Sequence, residues 1–234
     1  IITQIGLWRV SRVASDNTGN TRSAHRKICE KYSHIHNAQD SCHELSLTHK
    51  DICALPEFKE IIDLVRVILK FMSQSTLAAQ PFEEARKRLK IGRGLETIGA
   101  TRFGTLSWAS DSVRRCLRAF RLIIQEDPDL DIAMNLTTLL TVILPFARAI
   151  RCLESSHGTA ADVLIFWAAC IAQLSRHFKS TSCRLSEDTK ASIRYIVNRR
   201  FNGMINKAHH DIYVVAVYLD SRAYLHADWD PTYH

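Results

Sequence analysis

The stretch Val13-Ala14-Ser15-Asp16-Asn17-Thr18-Gly19-Asn20 decides how the first part of this chain is read. An apolar, strand-like run breaks there into Asp, Asn, Thr and Gly. A strand that ends in this way presents the Asp16 carboxylate at its C-terminal tip. Hard oxygen ligands of that kind suit Mg²⁺ or Mn²⁺, so Asp16 is a candidate metal ligand and catalytic carboxylate. The same residues also read as a helix start, because Asp-Asn-Thr is a capping sequence whose side-chain oxygens accept from the first helical N–H groups. The residues alone leave both readings open, and one carboxylate is not an active site.

Working outward, residues 7–15 read as a short strand with Trp8, Val10 and Ala14 on one face. Residues 20–32 read as a weakly amphipathic helix through Ala24 and Ile28. Residues 34–40 are irregular, with room for a very short strand, and residues 42–53 form a second helix. From Pro56 the character changes. Pro56 suits a first helical turn, with Glu57 and Glu60 near the positive helix end. Ile61, Ile62, Leu64, Val65, Ile68, Leu69 and Met72 then make a wide apolar stripe at helical period. Further helices are expected over 81–90, 104–125 (Val113, Cys116, Leu117, Phe120 and Ile124 inward), 130–154 with a kink at Pro145, 160–178, and 186–206 capped by Ser186. Residues 209–219 are β-rich and read equally as a buried helix. The polar tail after Asp228 is expected to fray. The fold class is therefore α+β, predominantly α-helical.

The chain has 234 residues, enough for a sizeable core, and its 46% hydrophobic and 24% charged content is that of a globular protein. It opens with Ile1 in mid-pattern, which reads as an internal piece of a longer protein or as a processed product. The net charge of +7 favours a polyanionic partner, or simply a basic surface. Arg114, Arg115, Arg118 and Arg121 recur at helical spacing, and Arg199-Arg200 form a second basic pair. The seven cysteines are odd in number and contain no Cys-x-x-Cys, which suggests reduced thiols in an intracellular compartment. Cys116 and Cys170 read as small buried apolar residues. The apolar run 136–150 is interrupted by Thr137, Thr138, Thr141, Pro145 and Arg148 and reads as too short to span a membrane.

Among His25, His34, His36, His43 and His49 no zinc-finger spacing occurs, and hydrogen bonding against the strand is the better reading. In Thr101-Arg102-Phe103-Gly104, an Arg beside an aromatic follows a Gly-containing loop. Such a pair suits a phosphate and a stacked base, or a helix cap with an apolar staple. No P-loop, dinucleotide fingerprint, His-Glu-x-x-His or Gly-x-Ser-x-Gly is present.

Taken in order, these blocks resemble a family. Ser15-Asp16-Asn17-Thr18-Gly19-Asn20 is similar to the second catalytic aspartate motif of hAT-superfamily transposases. Asp40 through His43-Glu44-Leu45-Ser46-Leu47 to Lys50-Asp51-Ile52 resembles that family's Cys-x-x-His-x-Leu-Asn-Leu and Lys-Asp block. Thr101-Arg102-Phe103 resembles its Thr-Arg-Trp motif, and Leu219-Asp220-Ser221-Arg222-Ala223-Tyr224 its Leu-Asp-Pro-Arg-Tyr block. The flavour is closest to hAT-like proteins of basidiomycete fungi.

The resemblance implies an RNase H-like domain split by a large helical insertion. Residues 1–55 would be a partial catalytic core, 56–207 the insertion domain, and 208–234 a return segment toward the core. It implies Asp16 as one of three acidic ligands of two Mg²⁺ or Mn²⁺ ions, Arg102 and Phe103 near the processed DNA end, and His43, Leu45 and Leu47 as a structural motif. It also implies duplex DNA at element ends as partner and the nucleus as location, and it leaves a homo-oligomer open. The other two carboxylates would lie before Ile1 and after His234. Asp40 stands where the family has Cys, and Phe103 where it has Trp. The expectation is a DNA-associated transposase-like fragment that binds no metal tightly and does not cut DNA alone. The alternative is a domesticated, non-enzymatic DNA- or protein-binding helical module.

Overall fold

The computed structural model describes residues 2–16, 18–99, 104–124, 130–155, 158–208 and 211–224. A short helix α1 (Ile2–Ile5) and a 3-10 turn (Leu7–Arg9) lead into strand β1 (Arg12–Ser15). Helix α2 (Gly19–Lys31) then crosses over to β2 (His36–Gln39), which lies parallel to β1 with Arg12 opposite His36 and Ser15 opposite Gln39. A parallel pair needs such a crossover, because a tight turn cannot bring the chain back to the same end. The strand expected over 7–15 is thus confined to its last four residues. Gly6 at φ 100° turns the chain before it, and Trp8, 87% exposed, stacks on His34 at 4.8 Å instead of facing a sheet. Extended pairing begins only where the His36 N–H finds the Ser11 carbonyl.

Both helix starts next to the sheet are capped by side chains. Thr18, not Asp16, caps α2 by accepting from the Thr21 N–H. Asp40 caps α3 (Ser41–Cys53) by accepting from the Cys42 and His43 N–H groups. An acceptor at that position satisfies donors that have no intrahelical partner. The residue that departs from the resembled Cys block therefore has a local task.

The remainder is helical: α4 (Pro56–Gln74), α5 (Thr76–Arg88), α6 (Thr105–Ile124), α7 (Leu130–Leu153), α8 (Ala160–Lys179), α9 (Glu187–Phe201), a π-helical segment (Asn202–Asn206), α10 (Ile212–Leu219) and α11 (Ser221–Tyr224). The molecule is predominantly α-helical, as expected. Helix α5 starts five residues earlier than residue 81, because the Ser75 hydroxyl caps it through the Ala78 N–H and Pro81 is carried inside the helix. The β-rich run in 209–219 is helix α10, packed on α8. β-propensity depends on context, and packing on α8 overrides it here.

Helix α7 is the hub, packed against α3, α6 and α8. Leu136, Leu139, Val142, Ile143 and Phe146 are completely buried, and Trp167 of α8 meets Phe146 edge-on at 6.3 Å. Residues Ile132–Leu153 are long and apolar enough to cross a bilayer by length and composition, so the helix outruns the run 136–150 read from the sequence. In this fold 56% of the stretch is buried, because neighbouring helices enclose it. Leu45 and Ile52 of α3 and Tyr213 of α10 belong to the same core, so the apolar interior runs across residues 55/56 and 207/208. Gly104 precedes α6 at φ 75°, where a Cβ would stand 3.1 Å from the Ala147 Cβ. Only glycine meets both the backbone conformation and the close approach to α7.

Candidate functional site

A cleft of about 390 Å³ opens at the C-terminal ends of β1 and β2. In open α/β sheets this is where ligands bind, since loops and helix starts converge beyond the strand tips. Asp16 follows the last residue of β1 and lines the cleft with an exposed side chain. Its backbone is fixed from both sides: its carbonyl accepts from the Ser15 hydroxyl at 3.1 Å and from the Thr21 hydroxyl at 2.5 Å. Among the described residues no hydrogen bond or ion pair occupies its carboxylate. The structure thus bears out a strand-end position, while the capping task falls to Thr18.

His25 ties the two strand ends together. Its Nδ1 lies 2.7 Å from Asn37 Oδ1 and its Nε2 lies 3.1 Å from Ser15 Oγ. With both ring nitrogens engaged, the imidazole acts as a cross-strand brace, which is the hydrogen-bonded role expected for the histidines. Tyr213, 2% exposed, closes the floor of the cleft from α10. Burial pushes its phenol up from the usual value, and Arg12 and a hydrogen bond to Ser41 pull it partly back. Arg22 and Lys207 contribute cationic side chains to the lining, from α2 and from the end of the π-helical segment.

A divalent ion held by hard ligands needs several oxygens converging on one point. Asp16 is the one carboxylate of this lining, and no three His, Cys, Asp or Glu residues converge anywhere among the described residues. The described residues therefore offer one ligand toward Mg²⁺ or Mn²⁺ and not a set, and no chemical step through a metal follows from them.

The other expected residues are placed apart. Leu45 is fully buried in the common core, while His43 and Leu47 are half-buried on α3. Leu45 packs α3 into the helical body, and none of the three residues lines the cleft. Arg102 and Phe103 lie outside the described residues, as does Asn17. Trp108 and Arg151 line a separate hollow of about 320 Å³, with the guanidinium 5.5 Å from the indole ring. The Arg199-Arg200 pair is engaged within the fold: Arg200 bonds Glu44 at 3.3 Å and Asp51 at 2.8 Å, and Arg199 bonds Asp51 at 3.1 Å. Likewise Arg114 and Arg115 share Asp111, and Arg115 also reaches Glu96. Asp220 and Arg222 are likewise engaged within the fold. Asp220 accepts from the Arg222 N–H, and the Arg222 guanidinium reaches Thr159 and Asp162, which together cap α8.

Sequence reasoning missed Arg22, Asn37, Lys207 and Tyr213. Arg22 carried a usable signal, since it sits in the first turn of the helix that follows the Asp16 turn. Lys207 and Tyr213 carried none, because they reach the cleft only through the packing of α9 and α10. No protein-family model, curated protein or solved structure matches this chain.

Proposed function

We propose that this chain is part of a hAT-type transposase-like protein, an RNase H-like half-domain with a helical insertion, associated with DNA and unable to cut it alone. The observation that carries the reading is Asp16, a carboxylate at the tip of a parallel strand with no partner among the described residues, beside a cleft with two cations. Further support comes from the order of the four resembling blocks and from the helical body that follows. In a complete relative Asp16 would ligate Mg²⁺ or Mn²⁺ together with carboxylates from other segments, and Arg102 and Phe103 would lie near the DNA end. Residues 1–55, 56–207 and 208–234 would be core, insertion and return segment, in a nuclear protein.

A second reading, a non-enzymatic DNA- or protein-binding module, is favoured by one observation: Asp16 has no acidic companion in the cleft lining. The gene sequence on either side separates the two. A zinc-binding BED-type domain upstream and a Glu-bearing helix downstream are expected for the transposase segment. Flanks carrying neither would overturn it in favour of the module.

A further inference from the structure

Two cations of the cleft are uncommitted. Arg22 and Lys207 both line it, and neither forms an ion pair among the described residues, unlike Arg114 and Arg115 of α6 and Arg199 and Arg200 of α9. They come from elements far apart in sequence. Arg22 stands in the first turn of α2, and Lys207 follows the π-helical segment that extends α9. The Lys207 N–H donates to the Asn202 carbonyl, five residues back, at 3.1 Å. That wide turn inserts a residue and rotates Lys207 away from the position an α-helical continuation would give it. π-turns of this kind recur at functional sites because they re-aim a side chain. Asp211, at φ 49°, then holds the left-handed conformation from which α10 starts. Two uncommon backbone features thus bracket the segment that brings Lys207 to the cleft.

The positive strip continues past the cleft. Arg26, one turn beyond Arg22 on the same face of α2, lines an adjoining hollow together with Arg22. Its only ion pair among the described residues is a long one, 3.9 Å to exposed Glu30, which exchanges readily with another anion.

We propose that Arg22 and Lys207 clasp one phosphate of a DNA backbone at the mouth of the cleft, with Arg26 taking a neighbouring phosphate. This rests on the DNA-associated reading above and adds the residues that hold the strand beside Asp16. Arg offers a planar fork to two phosphate oxygens, and Lys adds a point charge from a separate element. A free phosphate would need only the cleft; a row of cations that runs on along α2 fits a polymer.

The test is binding of a fluorescent DNA duplex to the full chain, by anisotropy over a range of salt concentrations. The variants are R22Q, K207Q, the double variant, K207R, and R118Q on α6 as a control. Each clasp variant is expected to weaken binding about 3- to 10-fold, and the double variant at least 10-fold. The slope of log affinity against log salt should fall by about 0.9 for each phosphate that is no longer neutralised. K207R should bind within about twofold of the parent, and R118Q likewise. If the parent binds and the double variant binds equally well with the same slope, the clasp is wrong and the DNA reading stands. If the parent shows no binding at low salt, the reading and the clasp fall together. Circular dichroism keeps the comparison to folded variants; both side chains are exposed, so their removal leaves the core intact.

Discussion

His49 shows how much one buried side chain of α3 is asked to do. It is 6% exposed, and its Nε2 lies 2.7 Å from the hydroxyl of Ser107, itself fully buried on α6. Burial lowers its pKa from 6.5 to about 4. The folded protein thus resists protonation that the unfolded chain accepts, so between those values the unfolded state binds more protons and stability rises with pH. Stability is unaffected by this group above pH 6.5 and falls as pH drops toward 4, the loss reaching about 3 kcal/mol below both values. Urea unfolding between pH 7 and pH 4.5 should show this slope, and H49Q should flatten it; an equal slope in both would assign the acid sensitivity to other groups. At Gly104 the expectation is steric. G104A must adopt a positive φ and press on Ala147 at 3.1 Å, so it should cost about 1–3 kcal/mol in a denaturant melt. A neutral outcome would mean that the turn before α6 relaxes freely.

At the scale of elements, the helices that read correctly are those whose signal is local. The stripe Ile61, Ile62 and Val65 is buried in α4, and Ser186 caps α9 through the Thr189 N–H, because period and cap chemistry act within a few residues. α10 and the true extent of β1 depend on what lies across the fold, which a run rich in β-formers cannot reveal. The docking of α3 on α9 is of that second kind. Arg200 joins Glu44, whose side chain is 9% exposed, and Asp51. Removing the cation leaves a buried carboxylate uncompensated, so R200M should destabilise by roughly 3 kcal/mol. E44L R200M should lose clearly less than the sum of the single variants; strict additivity in that cycle would deny the pairing. At the N-terminus of α8, T159A removes the hydroxyl of a capping box and one partner of Arg222. The expected cost is about 1 kcal/mol, with faster proteolysis beyond Leu219 because α11 loses an anchor. Unchanged cleavage kinetics would show that Arg222 does not hold that segment.

At the scale of the whole molecule, one apolar interior built around α7 carries α3 on one side and α10 on another. That arrangement brings the ends of β1 and β2, the π-helical segment and α10 to a common cleft. Half of the site was legible. Asp16 announces itself through the break from apolar residues to Asn-Thr-Gly, and a strand end is a local event. The cations opposite it are not legible, since the sequence spreads its charge over many arginines and only packing decides which are neutralised. Arg199 and Arg200 look as available as Arg22 in the sequence, yet they are bound to Asp51 and Glu44. The proposed function is that of a DNA-associated chain with one carboxylate of a shared metal site. Its most direct test is incubation of the purified chain with labelled duplex and hairpin DNA in Mn²⁺, reading bound fraction and strand integrity on one gel. The account predicts salt-sensitive retention of DNA whose strands stay intact, unchanged in integrity by D16A. Strand cleavage that D16A abolishes, or no retention at low salt, would contradict it.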